Sequence, residues 1–94
     1  MNTTLVDGVA VDYLSLPSPL RDGMRRYVET GIRPSDCLTA ILENDLMGAV
    51  LRIPAADLRD LPEIVRWIHW HCPSSAHGSR EKVAAWCRQV QKEH

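Results

Sequence analysis

The sequence predicts an all-α protein, a compact bundle of about four helices. Apolar residues recur at helical spacing in successive segments, and each segment is bounded by a capping serine or aspartate, a glycine or a proline. A chain of 94 residues provides one domain with a thin core. We expect a helical domain over residues 18–94, preceded by an N-terminal arm or short hairpin over residues 1–17.

The N-terminal arm has two interpretations. Asp7-Gly8 lies between short runs rich in β-branched residues, and this pattern favours a hairpin turn because both central residues need positive φ. The strands would be only about three residues long, and an isolated hairpin is marginal in water. A loosely ordered extended arm is therefore an equally open interpretation of this segment.

The first helix is predicted between Ser18 as its cap and Gly31 as its left-handed end. Pro19 fits the first helical position, where a missing N–H costs nothing. One apolar stripe is expected to be buried: Leu20, Met24, Tyr27 and Val28.

The second helix is predicted to start at the Ser35 cap and to run without a break to about Leu51, ahead of Pro54. Its glycine, Gly48, would let another backbone approach closely. The expected buried face comprises Leu38, Ile41, Leu42, Leu46 and Ala49.

The third helix should begin after Asp60, with a short turn before it, because Pro62 is tolerated only in a first turn. Its expected buried stripe is Leu61, Ile64, Val65, Ile68 and Cys72. Ser79 caps the last helix, which should bury Val83, Trp86, Cys87 and Val90.

Composition and charge exclude several classes of protein. The net charge of −1 argues against a strongly basic nucleic-acid coat and against a polyanion mimic. Three cysteines without a CxxC pair indicate free thiols in a reducing compartment. No apolar run approaches the ~18 residues that a membrane span needs, and the N-terminus lacks a signal peptide pattern. We therefore expect a cytoplasmic protein that meets no membrane.

Residues capable of catalysis are not grouped in the sequence. Cys37 has no local base, and Glu43 and Asp45 are two positions apart, which places them on different faces of one helix. His69, Cys72 and His77 could in principle hold zinc, but their spacing matches none of the usual structural patterns. We expect a protein that is not an enzyme and has no metal or cofactor, with a zinc-stabilised domain as the least favoured alternative.

Two tryptophans lie close together in the third helix. Trp67 and Trp70, with Arg66 and His71, form the best candidate surface for a protein partner, because Trp and Arg are enriched at interface hot spots. The competing interpretation packs these tryptophans under the N-terminal arm or the 73–78 loop. The carboxylates of Glu43 and Asp45 offer an alternative acidic surface, and an exposed tryptophan also makes a homodimer plausible.

A small DNA-binding regulator is the alternative function. It would use basic residues of the first and last helices: Arg21, Arg25, Arg26, Arg80, Lys82 and Arg88. The second helix, which would read the groove in a helix-turn-helix, is acidic and would be repelled by it. We therefore expect nucleic acid not to be the partner.

Residues 24–34 (MRRYVETGIRP) and 38–49 (LTAILENDLMGA) resemble small phage- and prophage-encoded proteins of unassigned function. Trp67, Pro73, Gly78-Ser79 and Trp86 fit the same pattern, so the similarity covers about residues 18–87; Pro62 departs from it. The resemblance implies no catalytic residues. It implies a phage-derived accessory protein that binds and blocks a bacterial host or defence protein, for example as an anti-CRISPR inhibitor.

Overall fold

The computed structural model describes residues 3–6 and 9–93. Within these residues the chain forms a two-stranded sheet and five α-helices: β1 (Thr3–Val6), β2 (Val9–Asp12), α1 (Arg21–Thr30), α2 (Asp36–Leu42), α3 (Leu46–Arg52), α4 (Leu61–His71) and α5 (Arg80–Glu93). Short 3-10 turns cover Tyr13–Ser15, Ser18–Leu20, Ala55–Asp60 and Ser74–Ala76. The predicted all-α class is confirmed, with one more helix than expected.

The N-terminal segment forms a hairpin. Strands β1 and β2 pair antiparallel, with Thr3 opposite Asp12 and Val6 opposite Val9. The turn predicted at Asp7-Gly8 lies outside the described residues. From β2 onward the chain enters the core, where Val11, Tyr13 and Leu16 are buried together with residues of the helices. Residues 11–16 and the helical domain therefore share one core.

Helix α1 ends at the predicted residue, but it begins later than predicted. Gly31 is left-handed at φ 75°, and its N–H donates to the Tyr27 carbonyl. Ser18, the predicted cap, instead opens a 3-10 turn closed by the Leu20 N–H on the Pro17 carbonyl, so α1 starts at Arg21 without a side-chain cap. The predicted stripe is confirmed: Met24, Tyr27 and Val28 are buried, and Leu20 packs against them.

The predicted second helix is divided into α2 and α3, which pack against each other. Ser35 caps α2 as predicted, accepting a hydrogen bond from the Leu38 N–H. Asn44 then adopts φ 63°, and Asp45 accepts from the Gly48 N–H and so starts α3. Asn tolerates the left-handed region and Asp is a strong cap, so this pair ends one helix and begins the next.

The break at 43–45 overturns one predicted core residue. Leu46 was placed on the buried face of a continuous helix, and its side chain is 60% exposed. After the break, α3 turns its small residues Gly48 and Ala49 inward instead. The apolar spacing does not reveal this change of chain direction. As a result, the residues of α3 that are buried differ from those predicted for a continuous helix.

Helix α4 follows the predicted short turn, with Pro62 in its first turn, although Asp60 makes no capping hydrogen bond. Its rotation differs from the prediction, because Val65 is 44% exposed and Trp67 is buried in its place. Helix α5 starts as predicted, with the Ser79 hydroxyl accepting from the Lys82 N–H. Its predicted stripe is confirmed as buried: Val83, Trp86, Cys87 and Val90.

Three buried aromatic side chains connect distant segments through their polar atoms. The Tyr27 hydroxyl donates to the Ala76 carbonyl at 2.6 Å, and the Trp86 indole donates to the Tyr27 carbonyl at 3.3 Å. The Trp67 indole donates to the Asp12 carbonyl at 2.7 Å. Each bond satisfies a polar group that would be costly to bury alone, and each joins segments far apart in sequence.

Gly31 and Gly23 provide a matched pair for testing the α1–α5 contact. A Cβ at Gly31 would lie 2.9 Å from the Cys87 carbonyl oxygen, and the left-handed φ adds about 1–2 kcal/mol of strain. We expect Gly31→Ala to lower the free energy of unfolding by at least about 2 kcal/mol. Urea unfolding followed by tryptophan fluorescence measures this loss.

The control is Gly23→Ala, in the first turn of α1, where a Cβ meets only the Pro34 Cβ at 3.8 Å. Here alanine should be neutral or raise stability by about 0.5–1 kcal/mol, because it lowers the entropy of the unfolded chain. Equal effects of the two substitutions would contradict the close packing of Gly31 on α5.

Candidate partner-binding site

Trp67 belongs to the core. Its side chain is 2% exposed, its indole N–H is bonded to the Asp12 carbonyl, and its ring lies 5.8 Å from that of Tyr13. The prediction that Trp67 presents its face to a partner is therefore corrected. The competing interpretation, in which it packs under the N-terminal segment, is the one that the structure has for this residue.

Trp70 lies on the same helix as Trp67 but is exposed to solvent. Its side chain is 73% exposed, and its only described ring neighbour is His69, in an edge-to-face arrangement with centroids 4.8 Å apart. Arg66 is exposed one turn earlier, and His71 is half-buried with its ring 6.2 Å from that of Trp67. Helix α4 thus holds Trp70 in solvent while its other side is fixed in the core.

A shallow groove of about 230 Å³ runs beside Trp70. The residues that line it are Ser15, Glu63, Arg66, Trp67, Trp70 and His71. We call Glu63, Arg66, Trp70 and His71 the Trp70 surface. It combines one carboxylate, one guanidinium and an aromatic face, which suits recognition of a mixed apolar and polar protein segment.

The alternative acidic surface is largely compensated within the chain. Glu43 lies 3.3 Å from the guanidinium of Arg33, and its side chain is only 13% exposed. Asp45 caps α3 and lies 4.0 Å from Arg52. Because both carboxylates have local roles at the α2–α3 break, they offer a partner less free charge than their sequence suggests.

The six basic residues of the alternative DNA surface divide into two groups. Arg21 donates to the carbonyls of Leu16 and Leu14, and Arg25 lies over the Tyr13 ring at 4.8 Å. Both therefore hold residues 13–16 against α1. The other four side chains are exposed, on α1 and α5: Arg26, Arg80, Lys82 and Arg88.

The residues considered for zinc do not form a metal centre. In the part of the chain that the structure describes, no three His, Cys, Asp or Glu side chains are grouped to hold a metal ion. Cys72 is buried, and burial raises the pKa of its thiol to about 12. Burial also raises the pKa of the Cys87 thiol. Both thiols are therefore protonated and unreactive near neutral pH.

A second concavity was missed by the sequence analysis. An apolar groove of about 300 Å³ lies between α2, α3 and α4, lined chiefly by Ile41, Leu46, Val65 and Ile68. His69 and His77 stand at its polar edge. The available signal was Asn44-Asp45, a helix stop followed by a cap, which would have separated Leu46 from the core face of α2.

Comparison with known proteins found no matching family model, no matching curated protein and no matching solved structure. Among the helices that the structure describes, none has the length and apolar character to cross a membrane.

His77, which lines this groove, makes the stability of the fold depend on pH. Its partial burial, together with the charges of Lys82 and His69, lowers its pKa below the usual value. The unfolded chain then takes up a proton more readily than the folded one, so stability is full above about pH 6.5 and falls as the pH decreases through the folded pKa.

We expect His77→Gln to reduce the loss of stability between about pH 7.5 and about pH 5, a range that spans the usual histidine pKa. Urea midpoints measured across this range test it. Lys82→Gln should reduce the loss partially, because it removes one charge that opposes the imidazolium. An unchanged pH profile in His77→Gln would contradict this account.

Proposed function

We propose that this chain is a non-enzymatic, phage-derived accessory protein that binds a bacterial host or defence protein in the cytoplasm and blocks it. An inhibitor of a CRISPR–Cas complex is the most concrete form. The observation that carries the proposal is Trp70, a large aromatic side chain 73% exposed on a helix whose other side is fixed in the core.

The energetics of association favour such a residue. Trp has few rotatable bonds, and α4 is already ordered, so little conformational entropy is lost when a partner covers Trp70. Full burial of an aromatic side chain removes about 150–250 Å² from water. Arg66 and Glu63, at the rim of the adjacent groove, would orient the partner through charge-assisted hydrogen bonds.

The phage context rests on the resemblance of residues 18–87 to small phage- and prophage-encoded proteins. Accessory proteins of this size commonly act by occupying a surface of their target rather than by chemistry. An exposed tryptophan on a fixed helix is the kind of residue that dominates the binding energy of such an interface, in which one copy blocks one target.

Capture from bacterial lysate followed by affinity measurement tests the proposal. The full chain is used as bait, and the captured protein is purified and titrated against wild-type and Trp70→Ala chains. We expect Trp70→Ala to weaken binding at least about 30-fold, the loss typical of a hot-spot tryptophan. Its unfolding free energy should stay within about 0.5 kcal/mol of wild type, because Trp70 is exposed.

Ile32→Ala is the matched control, since Ile32 is also a large apolar residue, 50% exposed, but lies in the loop after α1. It should bind within about threefold of wild type. Equal affinity of Trp70→Ala and wild type would refute the Trp70 surface. Retention of the chain on DNA that falls steeply with salt, and is lost when Arg26 and Arg88 are replaced, would support the DNA-binding alternative instead.

A further inference from the structure

Helix α3 exposes its largest apolar side chains. Leu46, Met47, Val50 and Leu51 are 60%, 77%, 45% and 80% exposed, and we call these four residues the α3 face. The side of the helix that packs inward presents Gly48 and Ala49, both buried. A solvent-facing helix normally has the reverse arrangement, with polar residues outside. We therefore expect another protein surface to cover the α3 face.

The same side of the molecule carries a projection and a recess. The groove between α2, α3 and α4 has a volume of about 300 Å³. Leu46 belongs both to its wall and to the α3 face, from which Met47 and Leu51 project. A twofold-symmetric contact requires a surface that complements itself, and an apolar projection beside an apolar recess meets that requirement.

Charge also favours a second copy of this chain. The six residues from Leu46 to Leu51 carry no ionisable side chain, and the adjacent groove is lined chiefly by apolar side chains, with His69 and His77 at its edge. A highly charged partner would find no complementary charge on the α3 face itself, whereas two copies, each with net charge −1, meet without strong repulsion.

The size of the patch fits a dimer of ordinary dimensions. Taking about 100 Å² of apolar surface for a fully exposed aliphatic side chain, the α3 face and Val65 together present roughly 300 Å². A standard interface removes about 800 Å² from each partner, of which about 65% is apolar in homodimers. The patch thus provides more than half of the apolar area that one side of the interface needs.

We infer that a second copy of this chain docks on the α3 face, forming a twofold-symmetric homodimer in which Met47 or Leu51 of each copy enters the groove of the other. Trp70 is five residues beyond Val65, about 140° further around α4. The dimer therefore leaves both Trp70 surfaces accessible, and its formation does not depend on the proposed function.

Sedimentation velocity of the full chain over a wide concentration range tests the dimer. We expect the wild-type mass to rise from 10.6 kDa to about 21 kDa with concentration, since two copies associate. Met47→Glu and Leu51→Glu, each at a highly exposed position, should fold as wild type by circular dichroism and stay at 10.6 kDa throughout. Trp70→Ala, the control, should dimerise as wild type does.

Two results would overturn the inference. The first is a wild-type chain that stays monomeric at every concentration, and the second is a Leu51→Glu chain that dimerises as strongly as wild type. If the wild type is monomeric and Met47→Glu also loses the captured bacterial protein, the α3 face is the binding site for that protein instead. A failed capture leaves the sedimentation result unaffected, so the two proposals fail separately.

Discussion

The hydrogen bond from the Trp67 indole to the Asp12 carbonyl determines which side chains of α4 are buried and which are exposed. Asp12 ends β2, and its carboxylate accepts from the Leu14 N–H to start the following turn. One residue thus stops the strand, begins the turn and anchors α4. Because an unpaired indole N–H would be costly to bury, the bond fixes the rotation of α4 about its axis. That rotation puts Trp67 inside and leaves Trp70 in solvent.

Local signals in the sequence were sufficient for most of the fold. The Ser35 and Ser79 caps and the left-handed Gly31 act within one helical turn, so they could be identified without tertiary information. The buried stripes of α1 and α5 were predicted for the same reason.

The errors come from competition between signals of similar strength. Apolar spacing from Leu38 to Ala49 favours one continuous helix, whereas Asn44-Asp45 favours a break, and the local cap prevailed. The rotation of α4 was decided by a contact 55 residues away, which spacing on α4 alone cannot reveal. Both candidate surfaces depend on these two points, so the sites were less predictable than the fold.

The placement of the three indoles has an optical consequence. Trp67 and Trp86 are each 2% exposed, whereas Trp70 is 73% exposed. A collisional quencher such as iodide can therefore reach one emitter and leave the other two in the folded chain. The quenched part of the emission comes from Trp70 at the surface, and the unquenched part comes from Trp67 and Trp86 in the core. The protein therefore carries an intrinsic reporter, without an added label, that distinguishes contact at Trp70 from unfolding.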